Sequence, residues 1–298
     1  MNKNQQSIPI FLASDDNYAP FLCTTMYSIL QNTKAQISFY VLDGGITDKS
    51  KKLISKSLFK FDNYQILYTD MTTFGLERFP DVAHYSINAF SRYFIPEIAP
   101  DLEKALYIDV DVIVKGDIVE LYNQDLENYD IAAVLEDFYA GNYTNLKEKI
   151  YPKYNGGDKY FNSGVLLFNV QNFIKKKYPE KFVKLTIDLY DKLCCPDQDV
   201  FNIVFENNFK ILDYKYNFMP DHLEMLKTKH PEIQNIEPLI IHYTSQKPWK
   251  AKSARSADFD EVLKKTKFYE IVKEKYKTLK IKTYYLFGFI PLLKMDIK

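Results

Sequence analysis

Short apolar runs rich in β-branched and aromatic residues recur along the chain at Ile8 to Ala13, Ile37 to Leu42, Gln65 to Thr69, Ala105 to Ile108, Ile131 to Leu135, Val165 to Val170 and Leu239 to Tyr243. Their length and composition mark them as strands. Between several of them the apolar period becomes that of a helix. Pro20 to Gln31 sets Phe21, Leu22, Met26, Ile29 and Leu30 on one stripe, with Pro20 tolerated near the helix start. Strand then helix, repeated, predicts an α/β sheet. The Asn142 to Asn155 stretch and Gly156-Gly157 read as an exposed loop near the sheet's ligand side. There is no internal repeat and no flexible interdomain linker.

One apolar run ends in chemistry. In Ala105-Leu-Tyr-Ile-Asp-Val-Asp-Val-Ile-Val114, Asp109 and Asp111 stand two apart, and the period of a strand puts both carboxylates on one face. Ligands of open α/β sheets gather beyond the carboxyl ends of the strands, so the pair is placed to hold a hard divalent cation. Two solvated strand-end acids are the plain alternative. Only nine glycines occur, and neither phosphate-binding glycine motif is present. A nucleoside diphosphate bound here would have to be neutralised by a metal and cationic side chains. His242, at the end of the last predicted strand and just before Lys247-Pro248-Trp249, would complete an oxygen-and-imidazole set suited to manganese, with magnesium possible. Ser14-Asp15-Asp16-Asn17-Tyr18 follows the first strand, either as a helix cap or as a carboxylate, amide and ring matched to a uracil. Pro196-Asp197-Gln198-Asp199 reads as a helix start leading into Val200, Phe201, Ile203 and Val204.

With 298 residues and 46% hydrophobic content the chain can bury a full core, as one large domain or a domain with an appendage. Lysine plus arginine and aspartate plus glutamate both number 39, which excludes a global polycation and with it nucleic acid as the main partner. Cys23 and the adjacent Cys194 and Cys195 form neither a disulfide framework nor a zinc pattern, which suits a reducing, cytoplasmic setting. No stretch reads as a signal peptide, and none approaches the roughly twenty apolar residues that span a bilayer. From Lys264 to Lys298, ten lysines stand against Glu270, Glu274 and Asp296, interleaved with Phe268, Tyr269, Tyr276, Tyr284, Tyr285, Phe287 and Phe289. A basic aromatic tail of this kind predicts attachment to an anionic membrane surface; a C-terminal helix packed on the body is the alternative.

Taken in order, Ala13-Ser-Asp-Asp-Asn-Tyr18, Tyr40-Val-Leu-Asp-Gly-Gly-Ile46, Leu106-Tyr-Ile-Asp-Val-Asp111, Phe161-Asn-Ser-Gly-Val165, Asp197-Gln-Asp199, Asn217-Phe-Met-Pro220 and His242-Tyr243 before Lys247-Pro-Trp249 resemble glycosyltransferase family 8. The resemblance covers roughly residues 8 to 250 and implies a GT-A fold, a Rossmann-like mixed sheet flanked by helices. It divides the chain into a catalytic domain, 1–250, and a helical, basic and aromatic membrane-association segment, 251–298. By resemblance, Asp109, Asp111 and His242 match the manganese ligands. Ala13, Asp15, Asn17 and Tyr18 match the uridine site, Val110 a backbone ribose contact, and Lys247 a phosphate contact. Arg92 matches an arginine near diphosphate and sugar, while Asp137, Asn162, Ser163, Asp197 and Gln198 match residues around the transferred hexose. Gln198 matches the residue across the anomeric carbon from the leaving group. Two departures stand out: Ser245 replaces a family glycine, and Lys247 comes one residue early. The function implied is retaining, metal-dependent transfer of galactose or glucose from a UDP-sugar to a cell-surface glycan such as a lipopolysaccharide core. The rivals are a haloacid-dehalogenase-like phosphatase, since Asp109-Val-Asp-Val112 fits its nucleophile motif, and a non-catalytic sugar-nucleotide-binding membrane scaffold.

Overall fold

The computed structural model describes residues 7–79, 87–136, 146–153, 159–222, 231–250, 254–281, 285–286 and 290–291. Strand β1 (Ile8–Ser14) lies in the middle of a seven-stranded sheet. On one side of it run β2 (Ile37–Asp43) and then β3 (Tyr64–Asp70), both parallel; on the other runs β4 (Lys104–Ile108), also parallel. The sheet then turns mixed. β7 (Phe161–Asn169) pairs antiparallel with β4, β6 (Ile131–Leu135) antiparallel with β7, and the two-residue β8 (Lys210–Ile211) parallel with β6. The chain leaves β1 for β2 on one side, and β4 joins on the other, so the strand order reverses at β1 and opens a crevice beyond the carboxyl ends of β1 and β4.

All seven expected strands are present, with two differences. β7 begins at Phe161, because the polar Asn162 and Ser163, which break the apolar run, are buried and are themselves part of the site. The last expected strand, β9 (Ile240–His242), leaves the main sheet and pairs antiparallel with β5 (Val112–Val114), a strand too short to read from period alone.

The strand period explains the core. Ile8, Ile10 and Leu12 point into one apolar layer with Met26 and Ile29 of α1 (Ala19–Asn32), while Phe11 points the other way to Leu42, Tyr107 and Phe94. α1 is buried almost all round, so its hydroxyls need partners inside: Thr25 Oγ1 donates to the carbonyls of Val110 and Val112 at 3.1 and 3.0 Å. These bonds pin the turn between β4 and β5, where the aspartates sit. Further helices follow in chain order: α2 (Asp48–Leu58), the single turns α3 (Ile95–Ile98) and α4 (Val119–Tyr122), α5 (Val170–Lys175), α6 (Tyr178–Leu189) and α7 (Pro196–Phe205).

The C-terminal helices α8 (Ser256–Leu263) and α9 (Tyr269–Ile281) bury Phe259, Val262, Leu263, Phe268 and Val272 in the same cluster as Ile8 and Met26, with Tyr269 and Tyr276 against it. Phe268, Tyr269 and Tyr276 of the expected membrane segment thus pack against the body. Tyr284, Phe287, Phe289, Asn142 to Asn145 and Gly156-Gly157 lie outside the described residues.

Candidate functional site

β4 ends at Ile108, and Asp109 and Asp111 lie in the bend that leads to β5. Val110 between them is buried, so the two carboxylates converge as the period predicted even though the backbone has left the strand. The β5–β9 register sets Val112 opposite His242, which brings the imidazole beside both acids. His242 Nε2 lies 3.2 Å from Asp111 Oδ1 and 3.7 Å from Asp109 Oδ2, and ligand atoms of all three fall within 4.8 Å of one another.

Three observations show that these residues fit a cation. His242 Nδ1 is 2.8 Å from Asn217 Oδ1. An amide oxygen only accepts, so Nδ1 carries the proton and Nε2 turns a lone pair toward the carboxylates, as a metal-ligating histidine requires. A Cβ on Gly164 would overlap His242 Cε1 and lie 2.6 Å from Asp109 Oδ2, so the cradle is shaped around the absence of a side chain. The charges are also unequal. Burial, with Asp111 adding to it, raises the Asp109 carboxyl above its usual range against the pull of Arg92. Burial opposes ionisation of Asp111 as well, yet the Lys247 ammonium beside it holds its carboxyl far below the usual range. A dication at the point of convergence supplies positive charge to both acids.

Lys247 reaches the site despite its early position in the loop. Its Nζ meets Asp111 Oδ2 at 2.5 Å and is held by the carbonyls of Tyr243 and Thr244 at 2.7 and 3.1 Å. Arg92, buried under the cleft, bonds Asp109 Oδ1 at 3.0 Å, Asp197 Oδ2 at 3.2 Å and the Ser163 carbonyl at 2.7 Å, with its guanidinium 4.2 Å from the Tyr107 ring centroid. Tyr107 OH donates to the same Asp109 oxygen at 2.8 Å.

From here a polar network runs around the floor of the cleft. Asn217 Nδ2 donates to Asn162 Oδ1, Asn162 Nδ2 donates to Glu136 Oε2, and Gln198 Nε2 donates to the same oxygen, at 2.8, 2.9 and 2.8 Å. Gln198 Oε1 receives the Ser163 amide at 3.0 Å, and Ser163 Oγ donates to Asp197 at 3.0 Å. Asp197 returns through Arg92 to Asp109, closing a ring that begins and ends at the candidate metal ligands. The helix-start reading of Pro196 to Asp199 holds in part: α7 does begin there, but Asp197 and Gln198 turn into the cleft, while Asp199 accepts from Tyr160 OH and from the amides of Cys194 and Cys195.

The cleft has two connected chambers that share Ala89, Arg92, Asp109 and Asp111. One, about 220 Å³, is lined by Ala13, Asp15, Tyr18 and Val110. The other, about 240 Å³, is lined by Glu136, Asn162, Ser163, Asp197, Gln198, His242 and Lys247, with Cys195 at its wall. One expected residue is not brought in: Asn17 lines a separate groove with Pro20 and Tyr276. Asp137 lies outside the described residues. Glu136, at the end of β6, lines the second chamber, and burial pushes its carboxyl upward against the bonds from Asn162 and Gln198. Sequence reasoning missed Glu136, and it missed the ligand-orienting role of Asn217; the strand period of β6, whose side chains alternate into the site, was the available signal for the first.

A family profile described as glycosyl transferase family 8 matches residues 9–253. The chain belongs to glycosyltransferase family 8. A Haemophilus influenzae protein called a putative glycosyltransferase is 29% identical over 241 residues, 80% of this chain and 71% of that one. The Escherichia coli lipopolysaccharide 1,2-glucosyltransferase is 28% identical over 305 residues, 95% of this chain and 88% of that one. This chain spans 33% of the length of Streptococcus pneumoniae glycosyltransferase GlyA, to which it is 32% identical over 248 residues. Among solved structures, the galactosyltransferase LgtC in complex with donor and acceptor sugar analogs superposes with a TM-score of 0.74 at 26% identity, covering 87% of this chain and 96% of that one. The fold is thus GT-A. Family membership also sets aside the phosphatase reading of Asp109-Val-Asp-Val112.

Proposed function

We propose that this glycosyltransferase is a retaining hexosyltransferase that moves galactose or glucose from a UDP-sugar to a glycan or glycolipid acceptor of the cell envelope, with manganese or magnesium held by Asp109, Asp111 and His242. The observation that carries the reading is the closed polar ring that joins the three candidate ligands to Gln198 and Asp197 across two connected chambers. The names of the E. coli glucosyltransferase and of LgtC support a hexose donor. A bound dication supplies a Lewis acid for the departing diphosphate.

The protein's own residues account for the rest. Asp15 and Tyr18 offer a hydrogen-bonding edge and a ring face to the base. Lys247 places its ammonium at the junction of the chambers, where it offsets phosphate charge. Arg92 fixes Asp109 and Asp197, while Asn162, Ser163, Asp197 and Glu136 offer the sugar hydroxyls a polar floor. The Gln198 amide is engaged at both ends and is a feeble nucleophile. This favours a front-face displacement: the bond from the anomeric carbon to the UDP oxygen breaks, the acceptor hydroxyl bonds on the same face, and its proton passes to the departing phosphate oxygen.

A panel of UDP-sugars with manganese, read by UDP release, tests the reading. UDP-galactose or UDP-glucose should turn over with the metal and stop in chelator, and proton NMR of the first glycoside should show the α-anomer. Release of UDP from no hexose donor, or a β-linked product, overturns it. The basic segment from Lys264 onward supports a peripheral position on the inner face of the cytoplasmic membrane; no helix among the described residues is long and apolar enough to cross one.

A further inference from the structure

Two helices remote from each other in sequence lie side by side on the outside of the molecule. Near one end of α2, Ser57 Oγ accepts the amide of Lys267 at 2.9 Å. Near its other end, Lys49, Ser50 and Leu53 line one groove with Ile271, Val272 and Lys275. α2 and α9 therefore run antiparallel, with Ile54, Leu58, Phe268 and Val272 buried together beneath them.

On their outer faces lysine outnumbers the exposed acids Asp48, Glu270 and Glu274. On α2 and just past its end, Lys49, Lys52, Lys56 and Lys60 recur at helical spacing, all exposed. Lys267, Ile271 and Lys275 form a matching stripe four residues apart, also exposed. Lys51, tied to Asp43 at 2.6 Å, and Lys265, tied to Glu261 at 3.0 Å, are committed elsewhere. Set among these lysines, none of which makes a short ion pair with another described residue, are two apolar side chains that the core does not claim: Phe59, 79% exposed, and Ile271, 46% exposed. Lys60 lies over the Tyr27 and Phe61 rings and Lys275 over Tyr276. The chain has no net charge, so this concentration of lysine is a local feature rather than a consequence of composition.

We propose that the paired faces of α2 and α9 form a docking surface for an anionic lipid bilayer, with the lysines at the headgroups and Phe59 inserted among the acyl chains. Charge complementarity selects the partner, and the long lysine stems together with an exposed aromatic suit the interface of a bilayer. This deepens the reading of the enzyme as peripheral to a membrane and rests on it, but it moves part of the attachment from the tail to the folded body. It also orients the molecule. The groove between the two helices is continued by Asp16 and Asn17, the residues between Asp15 and Tyr18 of the first chamber, so the base end of the cleft stands next to the membrane.

The test is sedimentation of the full-length protein with vesicles of phosphatidylcholine mixed with phosphatidylglycerol, and with phosphatidylcholine alone. Wild type should bind the mixed vesicles and release with salt. The variant Lys52→Glu/Lys56→Glu/Lys267→Glu should bind them at least about tenfold more weakly, since each lysine near such a surface contributes about a factor of five. Phe59→Ser should weaken the fraction that salt does not remove. UDP release should be unchanged in both, and Lys→Gln at the same three positions should show an intermediate loss should charge reversal disturb folding. A second variant, Tyr284→Ser/Tyr285→Ser/Phe287→Ser/Phe289→Ser, separates the tail. If it alone abolishes binding and the lysine variants bind as wild type does, the helix-pair surface is wrong and tail attachment stands. If wild type binds neither kind of vesicle, both readings fail; equal binding to the neutral vesicles overturns the role of charge.

Discussion

Gly164 shows how tightly the candidate metal centre is specified at the scale of a residue. Its backbone lies in a regular strand, outside the left-handed region that favours glycine, so conformation does not explain it. What does is the contact with His242 and Asp109 that a methyl group would make. Gly164→Ala should therefore keep the fold and lower manganese affinity at least about tenfold, as displacing ligand-supporting groups does; unchanged affinity by calorimetric titration would show that the two ligands yield. Asp111→Asn removes a ligand and the partner of Lys247 together, and should cost at least about a hundredfold in turnover. Full activity of this variant, or of wild type in chelator, would exclude a metal at the site. Asp109, Asp111 and His242 were legible because each closes an apolar run, a local signal. Glu136 lines the cleft just past the end of β6, a position that no motif in the sequence marked, while the adjacent Asp137 lies outside the described residues. Asn217 was legible as part of a motif but not as the partner of His242, a contact made across 25 residues.

Among elements, strands with continuous burial were the easiest to read, and those interrupted by polar residues the hardest. β7 carries Asn162 and Ser163 inside its pairing, where a run of apolar residues would be expected, because the sheet itself delivers them to the site. The junction of β6 and β7 with α5 and α6 offers a stability test. Asp130, buried, accepts from Asn172 Nδ2, Lys176 Nζ and Tyr178 OH at 2.7, 2.6 and 2.7 Å. Burial works to raise its carboxyl, but these three donors together hold it below the usual value of 3.8. A depressed folded value means that the stabilisation is full above the unfolded value and is lost as pH falls through the folded one. Asp130→Ala should cost about 3 kcal/mol by urea titration at neutral pH, and the gap to wild type should narrow below about pH 4; a gap independent of pH would assign the loss to packing. Another element-scale coupling ends at the nucleotide site. The indole of Trp249, the one tryptophan in the chain, stacks on Phe21 with centroids 3.5 Å apart, meets the Tyr18 ring edge-on at 6.0 Å, and lies in the apolar cluster against which Tyr276 of α9 packs. UDP binding should change its fluorescence. Tyr276→Ala should raise the donor KM about threefold or more with kcat nearly kept, because the packing behind Trp249 loosens; no change in KM would show that α9 does not support the base site.

At the scale of the whole molecule, composition and motif order gave the GT-A body, while the place of the C-terminal helices was not visible in the sequence. Lysine-rich segments with scattered aromatics look alike whether the aromatics meet lipid or protein, and only the partner surface on α1 and α2 distinguishes them. Phe268 and Val272 are 2% and 5% exposed, packed in the cluster that holds Ile54 and Leu58. Burial of two such side chains is worth about 4 kcal/mol, a large part of the roughly 5–15 kcal/mol that holds a domain together. A chain ending at Leu263 should therefore melt about 6 °C below wild type, and its donor affinity should fall with the loss of Tyr276 behind Trp249. A chain ending at Ile281 keeps both helices and should melt as the full chain does, whatever its binding to vesicles. If the chain ending at Leu263 melts with the full-length protein, α9 contributes nothing to the fold, and the division of the chain near residue 250 that the motifs suggested is the right one.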